Sequence, residues 1–466
     1  MLFSSIPFLF YFLPLVLILY YAVPFRFKNA VFLFSSLFFY GWGEPKYLFF
    51  MLFSITQGYV FGLLIEKYKN KKRSKFFLTA SVLISLLLLG YCKYADFFIE
   101  SFNSVTGLSL PLLKIALPIG ISFYTFQILS YTVDVYRGDV SAQKNYINLA
   151  AYIAMFPQLI AGPIVRYCDV VAQLESREFT FEKISSGITR FVVGLSKKIL
   201  IANVLGELVS VFKASDNKSV LFYWMYAIAY MLHVYFDFSG YSDMAIGLGK
   251  LFGFDFLENF NYPYISASVT EFWRRWHMSL GSWFRDYLYI PLGGNRVSKL
   301  RWFFNIFVVW MATGLWHGAA WNFVVWGLIF AVLLIAEKMF LLNIIKKIKG
   351  INHIYVLFLV MLSFVIFDSA TLKDGFNSIA GLFGAGGIPL YNKETVYYLA
   401  SFAVVFIVGI IGSTPLPKKI YGYLNGNNAV SCILNVAEPI CVLLLLVVCT
   451  AFLIDGSFNP FLYFRF

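Results

Sequence analysis

Apolar residues run along this chain in long blocks separated by short polar stretches, roughly at 6–23, 30–42, 46–65, 76–93, 108–133, 147–165, 184–212, 219–236, 302–335, 353–367, 396–412 and 432–454. Many approach the ~20 residues that a helix needs to cross a hydrocarbon core ~30 Å thick. The pattern predicts an all-α multi-pass membrane protein of roughly ten or eleven transmembrane helices, with some blocks re-entrant or interfacial. The first block lacks a basic flank and a small-residue cleavage signature, and further spans follow it at once, so it reads as an anchor. No linker, low-complexity tract or internal repeat divides residues 1–466, which read as a single transmembrane domain.

The longest uninterrupted block places a histidine at membrane depth. Residues 302–336 are 35 consecutive positions without Asp, Glu, Lys or Arg, and near their midpoint lies Thr313-Gly-Leu-Trp-His317-Gly-Ala-Ala-Trp321. Such a run is a long broken helix or two helices meeting near Gly314 and Gly318. Ionisable groups at that depth mark pathways or sites, although a neutral imidazole bonded to a neighbouring helix would look the same. Asn322, five residues on, is a candidate to orient a substrate oxygen, or simply to bond backbone.

The least hydrophobic long region, about 255–301, is too aromatic to be disordered. Ser268-Val-Thr-Glu271 has the form of a capping box, and Glu271 and Arg275 are spaced for an i,i+4 pair. The helix they open, Phe272-Trp-Arg-Arg-Trp-His277-Met-Ser-Leu-Gly-Ser-Trp283-Phe-Arg285-Asp286, is too charged to span and too rich in tryptophan to lie in water. Arg274, Arg275 and Arg285 could bind the phosphates of a cofactor or contact lipid head groups. His277 is a second candidate site group, with a structural role as the alternative. Upstream, Asp237 and Asp243 stand six residues apart around Gly240. That glycine suggests a helix break, with the two carboxylates capping freed backbone or pairing with the arginines.

Composition changes this picture little. The chain is 60% hydrophobic and 13% charged, and its net charge of +13 is concentrated in loops such as Lys67 to Lys75 and Lys346 to Lys349. The positive-inside rule makes those loops cytoplasmic, and no nucleic-acid-binding pattern accompanies the charge. The five cysteines, Cys92, Cys168, Cys432, Cys441 and Cys449, have no CxxC spacing, so neither a disulfide framework nor a metal site is expected.

Taken together, Phe156 to Arg166, Phe236 to Gly247, Thr270 to Gly294 and Ala312 to Gly327 resemble the membrane-bound O-acyltransferase (MBOAT) superfamily. The likeness is to the bacterial branch that serves alginate and peptidoglycan O-acetylation, and the opening Leu2-Phe-Ser-Ser-Ile-Pro extends it over nearly the whole chain. The resemblance implies a ring of helices around a central tunnel, a catalytic histidine at His317 and a second important one at His277. The terminal Phe461-Leu-Tyr463-Phe-Arg-Phe466 fits the Phe-x-Tyr-x-x-Phe pattern of cell-envelope acylation systems. It implies that Tyr463 carries the acyl group between donor and acceptor, where sequence physics alone would read an aromatic anchor.

A neutral hydroxyl attacks a thioester well only when a base removes its proton. The expectation is therefore that His317 activates Tyr463 toward acetyl-coenzyme A from the cytoplasm. An extracytoplasmic serine-dependent O-acetyltransferase would then pass the acetyl group to a cell-envelope polysaccharide such as peptidoglycan or alginate. The location implied is the bacterial cytoplasmic (inner) membrane, with no permanently bound cofactor. Transfer of D-alanine to teichoic acid, proton-coupled transport and a noncatalytic scaffold stay open as alternatives.

Overall fold

The computed structural model describes residues 1–456 and 461, apart from 44, 161, 346 and 349. Lys346 and Lys349 of the second basic loop and Tyr463 of the terminal motif lie outside the described residues. Every regular element among the described residues is helical, as the block pattern predicts. Among the described residues six helices are long and apolar enough to cross a membrane by length and composition: Pro45–Lys67, Lys72–Thr106, Trp321–Ile345, Ile351–Asp368, Lys393–Gly412 and Asn428–Asp455. Other blocks are cut shorter. The one at 108–133 becomes helical only from Ile121, its first part carrying Pro111 and Pro118, which interrupt a helical ladder, and the one at 147–165 breaks before Pro157.

Contacts gather into two compact units, residues 1–191 with 244–257, and residues 192–243 with 258–466. In the first, α1 (Leu13–Ala22), α2 (Phe25–Gly43), α3 (Leu48–Lys67), α4 (Lys72–Leu89), α5 (Ile121–Arg137) and α6 (Tyr146–Ala154) form the main helices. Gly58 and Gly62 let α3 settle onto α5, since a Cβ on Gly62 would stand 2.7 Å from the Tyr131 hydroxyl. The core is aromatic: Phe156 packs at 5.4–5.6 Å between ring centroids on Phe12, Phe39, Phe32 and Phe252.

The second unit holds the N-terminal part of α7 (Val220–Leu251), followed by α8 (Val269–Arg275), α9 (Met278–Phe284), α10 (Lys299–His317), α11 (Trp321–Ala336), α12 (Ile351–Asp368), α13 (Lys393–Gly412) and α14 (Asn428–Asp455). Helix α7 runs unbroken for 32 residues, so the break expected at Gly240 does not occur. Gly240 is instead a close-packing residue, because a Cβ there would lie 2.7 Å from the Gly194 carbonyl oxygen.

The apolar run 302–336 does divide into two helices, α10 and α11, meeting at Gly318–Ala320. Their backbones touch. A Cβ on Gly314 would stand 2.3 Å from the Phe323 carbonyl oxygen, and one on Gly327 would stand 2.3 Å from that of Trp310. In helices that share an apolar environment, association comes from this close packing of small residues. His317 closes α10 at the end of the hairpin.

Gly327→Leu is expected to force the hairpin apart and lower thermal stability by more than the ~1–3 kcal/mol of ordinary overpacking, because the obstacle is backbone. Gly422→Ala, which meets nothing within 4 Å, should leave melting in detergent unchanged. Equal melting temperatures for the two variants would contradict this account.

Candidate active site

The site grows from two short helices whose ends are satisfied by distant side chains. At the start of α8 the Ser268 hydroxyl accepts from the Glu271 N–H at 3.0 Å, and the Glu271 carboxylate reaches back to the Ala267 N–H at 2.9 Å, one residue before the cap. Glu271 also holds Arg275 at 2.8 Å, the i,i+4 pair read from the spacing. The stronger cap comes from Glu337, the first charged residue after the apolar run. Its fully buried carboxylate accepts from the N–H of Val269 at 2.6 Å, and from the N–H and hydroxyl of Thr270 at 2.8 and 2.7 Å. A carboxylate on a helix N-terminus meets both free donors and the positive end of the dipole.

Past Arg275 the structure departs from expectation. The continuous helix predicted over residues 272–286 is broken: Trp276 is extended and His277 is left-handed, with φ 45° and ψ 52°. Trp276 turns into a cluster with Phe260, Phe364 and Phe272, at 5.1, 5.4 and 5.5 Å between centroids. Histidine tolerates a positive φ better than most residues, at a cost of about 1–2 kcal/mol. That conformation is held by Asn259, whose backbone oxygen accepts from the Met278 N–H at 3.0 Å and whose Oδ1 accepts from the Ser279 N–H at 3.2 Å. The first free donors of α9 are thus met by a residue on another segment.

The break carries His277 into the interior, 1% exposed. Its Nδ1 lies 3.1 Å from Asn259 Oδ1, and its ring stands edge-on to Phe238 at 4.6 Å and Trp316 at 5.6 Å. Nε2 has no hydrogen-bond partner among the described residues. Burial, and after it the neighbouring His317, holds the His277 pKa well below the usual histidine range. His317, 5% exposed, packs against Trp316 and Trp326 at 5.0 Å and Phe367 at 5.4 Å. The two imidazoles therefore share Trp316 as a neighbour.

Beside them opens a cavity of about 820 Å³. His277, Arg274, Arg285 and Lys338 line it, together with apolar walls that include Trp273 and Trp310; His317 and Arg275 do not. Arg275 is spent on Glu271 and on the Asn261 carbonyl at 3.1 Å. Arg285 also pairs with Asp286 at 2.7 Å. Asp237 and Asp243 pair not with these arginines but with lysines, Asp237 with the fully buried Lys198 and Asp243 with Lys197 at 2.6 Å. Asn322 donates to the Ser369 carbonyl at 3.0 Å, tying α11 to the end of α12. Among the described residues no group of three or more His, Cys, Asp or Glu side chains could hold a metal ion.

The terminal motif enters the same unit through Phe461, which is 1% exposed. Its ring meets Tyr241 edge-on at 4.6 Å, and Lys198 Nζ sits 4.5 Å over its face. Tyr241 lies one turn along α7 from Phe238, the residue against His277.

The model of the MBOAT, membrane-bound O-acyltransferase family matches residues 140–367, a range that includes both histidines and all the cavity-lining residues. A protein named "probable alginate O-acetylase AlgI" from Azotobacter vinelandii is 40% identical over 499 residues, covering 100% of both chains. The chain belongs to the membrane-bound O-acyltransferase family. A peptidoglycan O-acetyltransferase from Helicobacter pylori is 31% identical over 86% of this chain and 83% of its own. A teichoic acid D-alanyltransferase from Bacillus subtilis is 30% identical over 59% of this chain and 71% of its own. The protein is thus a multi-pass membrane O-acyltransferase of the MBOAT type, in the branch that contains alginate and peptidoglycan O-acetyltransferases.

Sequence reasoning missed Asn259, Glu337, Lys197 and Lys198 in this acyltransferase. Glu337 had a signal, as the charge that ends a 35-residue apolar run; Asn259 had only its polarity among aromatics, its partners lying 18 to 20 residues on.

Glu337→Ala removes the acceptor for three donors at the start of α8. At about 1–3 kcal/mol for a buried group left unsatisfied, the thermal midpoint should drop by several degrees, and Glu337→Gln, which keeps one accepting oxygen, should drop it less. Unchanged melting in the alanine variant would remove Glu337 from this role.

Proposed function

We propose that this O-acyltransferase, acting as one unit over residues 1–466 in the bacterial cytoplasmic membrane, takes an acetyl group from cytoplasmic acetyl-coenzyme A. It relays that group through Tyr463 to an extracytoplasmic serine-dependent transferase that acetylates a cell-envelope polysaccharide. The observation that carries the reading is a buried histidine pair around Trp316, one member of which lines a cavity with Arg274, Arg285 and Lys338. Three cations around a largely apolar cavity suit a coenzyme that is polyanionic at one end and carries a thioester at the other.

In the first half-reaction the Tyr463 oxygen attacks the thioester carbonyl and the carbon–sulfur bond breaks. His317 takes the phenolic proton and returns it to the departing thiolate. Burial, and after it repulsion from His317, keeps His277 neutral meanwhile, so its Nε2 lone pair stays available to the cavity. In the second half-reaction a partner's serine oxygen attacks the acetyl-tyrosine carbonyl, the tyrosine ester bond breaks, and the serine's hydroxyl proton passes to the departing phenolate. Coenzyme A then never crosses the membrane.

Phe461 supports the relay by where it is held. Two positions before Tyr463 in the sequence, it packs on Tyr241, in the stretch of α7 that contacts His277. Acetyl is favoured over D-alanyl because relatives at 40% and 31% identity across most of the chain are named for O-acetylation, whereas the D-alanyltransferase matches 59% of it.

Peptide mass spectrometry after incubation with acetyl-coenzyme A should find one acetyl group on the Tyr463 fragment, absent in Tyr463→Phe and reduced about 100-fold or more in His317→Ala. Full polymer acetylation by Tyr463→Phe would refute the relay, and retained turnover in His317→Ala would refute the base. Charge reversal at Arg274 should weaken acetyl-coenzyme A binding roughly tenfold or more, while Arg275→Glu, outside the cavity, should leave it unchanged. Equal losses would mean that the cavity is not the coenzyme site.

A further inference from the structure

Asn259 is fully buried. The orientation of its amide is fixed by its surroundings. A backbone N–H only donates, and that of Ser279 meets Oδ1 at 3.2 Å, as does the Ser279 hydroxyl at 2.9 Å; Nδ2 is turned toward the Ser242 hydroxyl at 3.1 Å. The atom facing Nδ1 of His277 is therefore an acceptor, and the 3.1 Å bond requires the proton to be on Nδ1. A neutral imidazole with Nδ1–H carries its lone pair on Nε2. This nitrogen is buried without a partner among the described residues, on a ring that lines the cavity.

We propose that Asn259 is a positioning residue: it locks His277 in the Nδ1–H tautomer, so that Nε2 accepts a hydrogen bond from an amide N–H of a pantetheine-bearing thioester in the cavity. The inference rests on the acyl-thioester reading of that cavity. It deepens that reading by assigning the side of the donor that His277 recognises, which is the arm rather than the acyl group. Coenzyme A and a carrier-borne thioester share the arm, so acetyl and D-alanyl donors would be held alike at this point. The left-handed backbone of His277 follows from the same residue, because Asn259 binds the next two N–H groups as well as the ring.

The chain has four histidines, so 15N-histidine labelling of the full-length protein in detergent gives four ring-nitrogen pairs, and His277→Gln identifies the pair of interest. The expected signature is a protonated Nδ1 and a pyridine-like Nε2, with Nε2 moving toward hydrogen-bonded values on saturation with acetyl-coenzyme A. Asn259→Ala should shift the ring toward Nε2–H and raise the KM for acetyl-coenzyme A about tenfold, the loss of one hydrogen bond, with kcat changed less. Asn259→Asp, which keeps the acceptor, should retain the Nδ1–H tautomer. A protonated Nε2 in the wild-type protein, or an Asn259→Ala variant with unchanged tautomer and KM, would overturn the proposal. If the alanine variant does not fold, the wild-type and aspartate signals still decide. The tautomer is read without turnover, so wild-type protein that shows it but transfers no acetyl group would count against the proposed function instead.

Discussion

A polar group carried into the interior of this protein has to find its partner in the chain itself, because lipid offers none. That constraint shapes the second unit. Glu337 is buried on the N-terminus of α8, Asn259 on that of α9, and Asp237 against Lys198 within the core. Each joins segments far apart in sequence. The short helices between residues 269 and 284 would not be stable alone; they stand where they do because buried acceptors are already waiting for their N–H groups.

The site's chemistry follows from the same constraint. Breaking the helix at Trp276 and His277 gives up part of a hydrogen-bonded ladder, and the freed donors are recovered through Asn259. What is gained is an imidazole turned inward beside a cavity, with a second imidazole at the end of a glycine-packed hairpin. Close contact of α10 and α11 at Gly314 and Gly327 holds His317 against Trp326 on the facing helix. The cations around the cavity are treated differently. Arg274 and Lys338 are exposed and line it, whereas Arg275 one position on is committed to Glu271.

Much of this was legible in the sequence, and the limits have a physical pattern. Block lengths disclosed the helical membrane class; the apolar run 302–336 disclosed a broken helix or two helices meeting near His317; and the spacing of Glu271 and Arg275 disclosed their ion pair. These are local properties, set by periodicity and short-range geometry. The helix break at Trp276 was not legible because no proline or glycine marks it, the competing energy coming from Asn259 and an aromatic cluster. Gly240 misled in the opposite direction: as a point of contact with Gly194 it resembles, in one dimension, a point of fracture. For Asp237 and Asp243 the sequence offers freed backbone donors or the arginines downstream as partners, whereas the lysines that hold them come from residues 197 and 198, some forty positions earlier.

The left-handed turn at position 277 also bears on how such a site can change over generations. Few side chains accept that backbone without strain; asparagine and aspartate share histidine's tolerance, and branched or bulky residues do not. An ancestor drifting at this position would meet a narrow corridor of small polar replacements, and a mutation to valine or isoleucine would disturb the fold before it altered the chemistry. The geometry of one φ angle thus acts as a filter on heredity, leaving polar hydrogen-bonding groups as the variants that selection is offered.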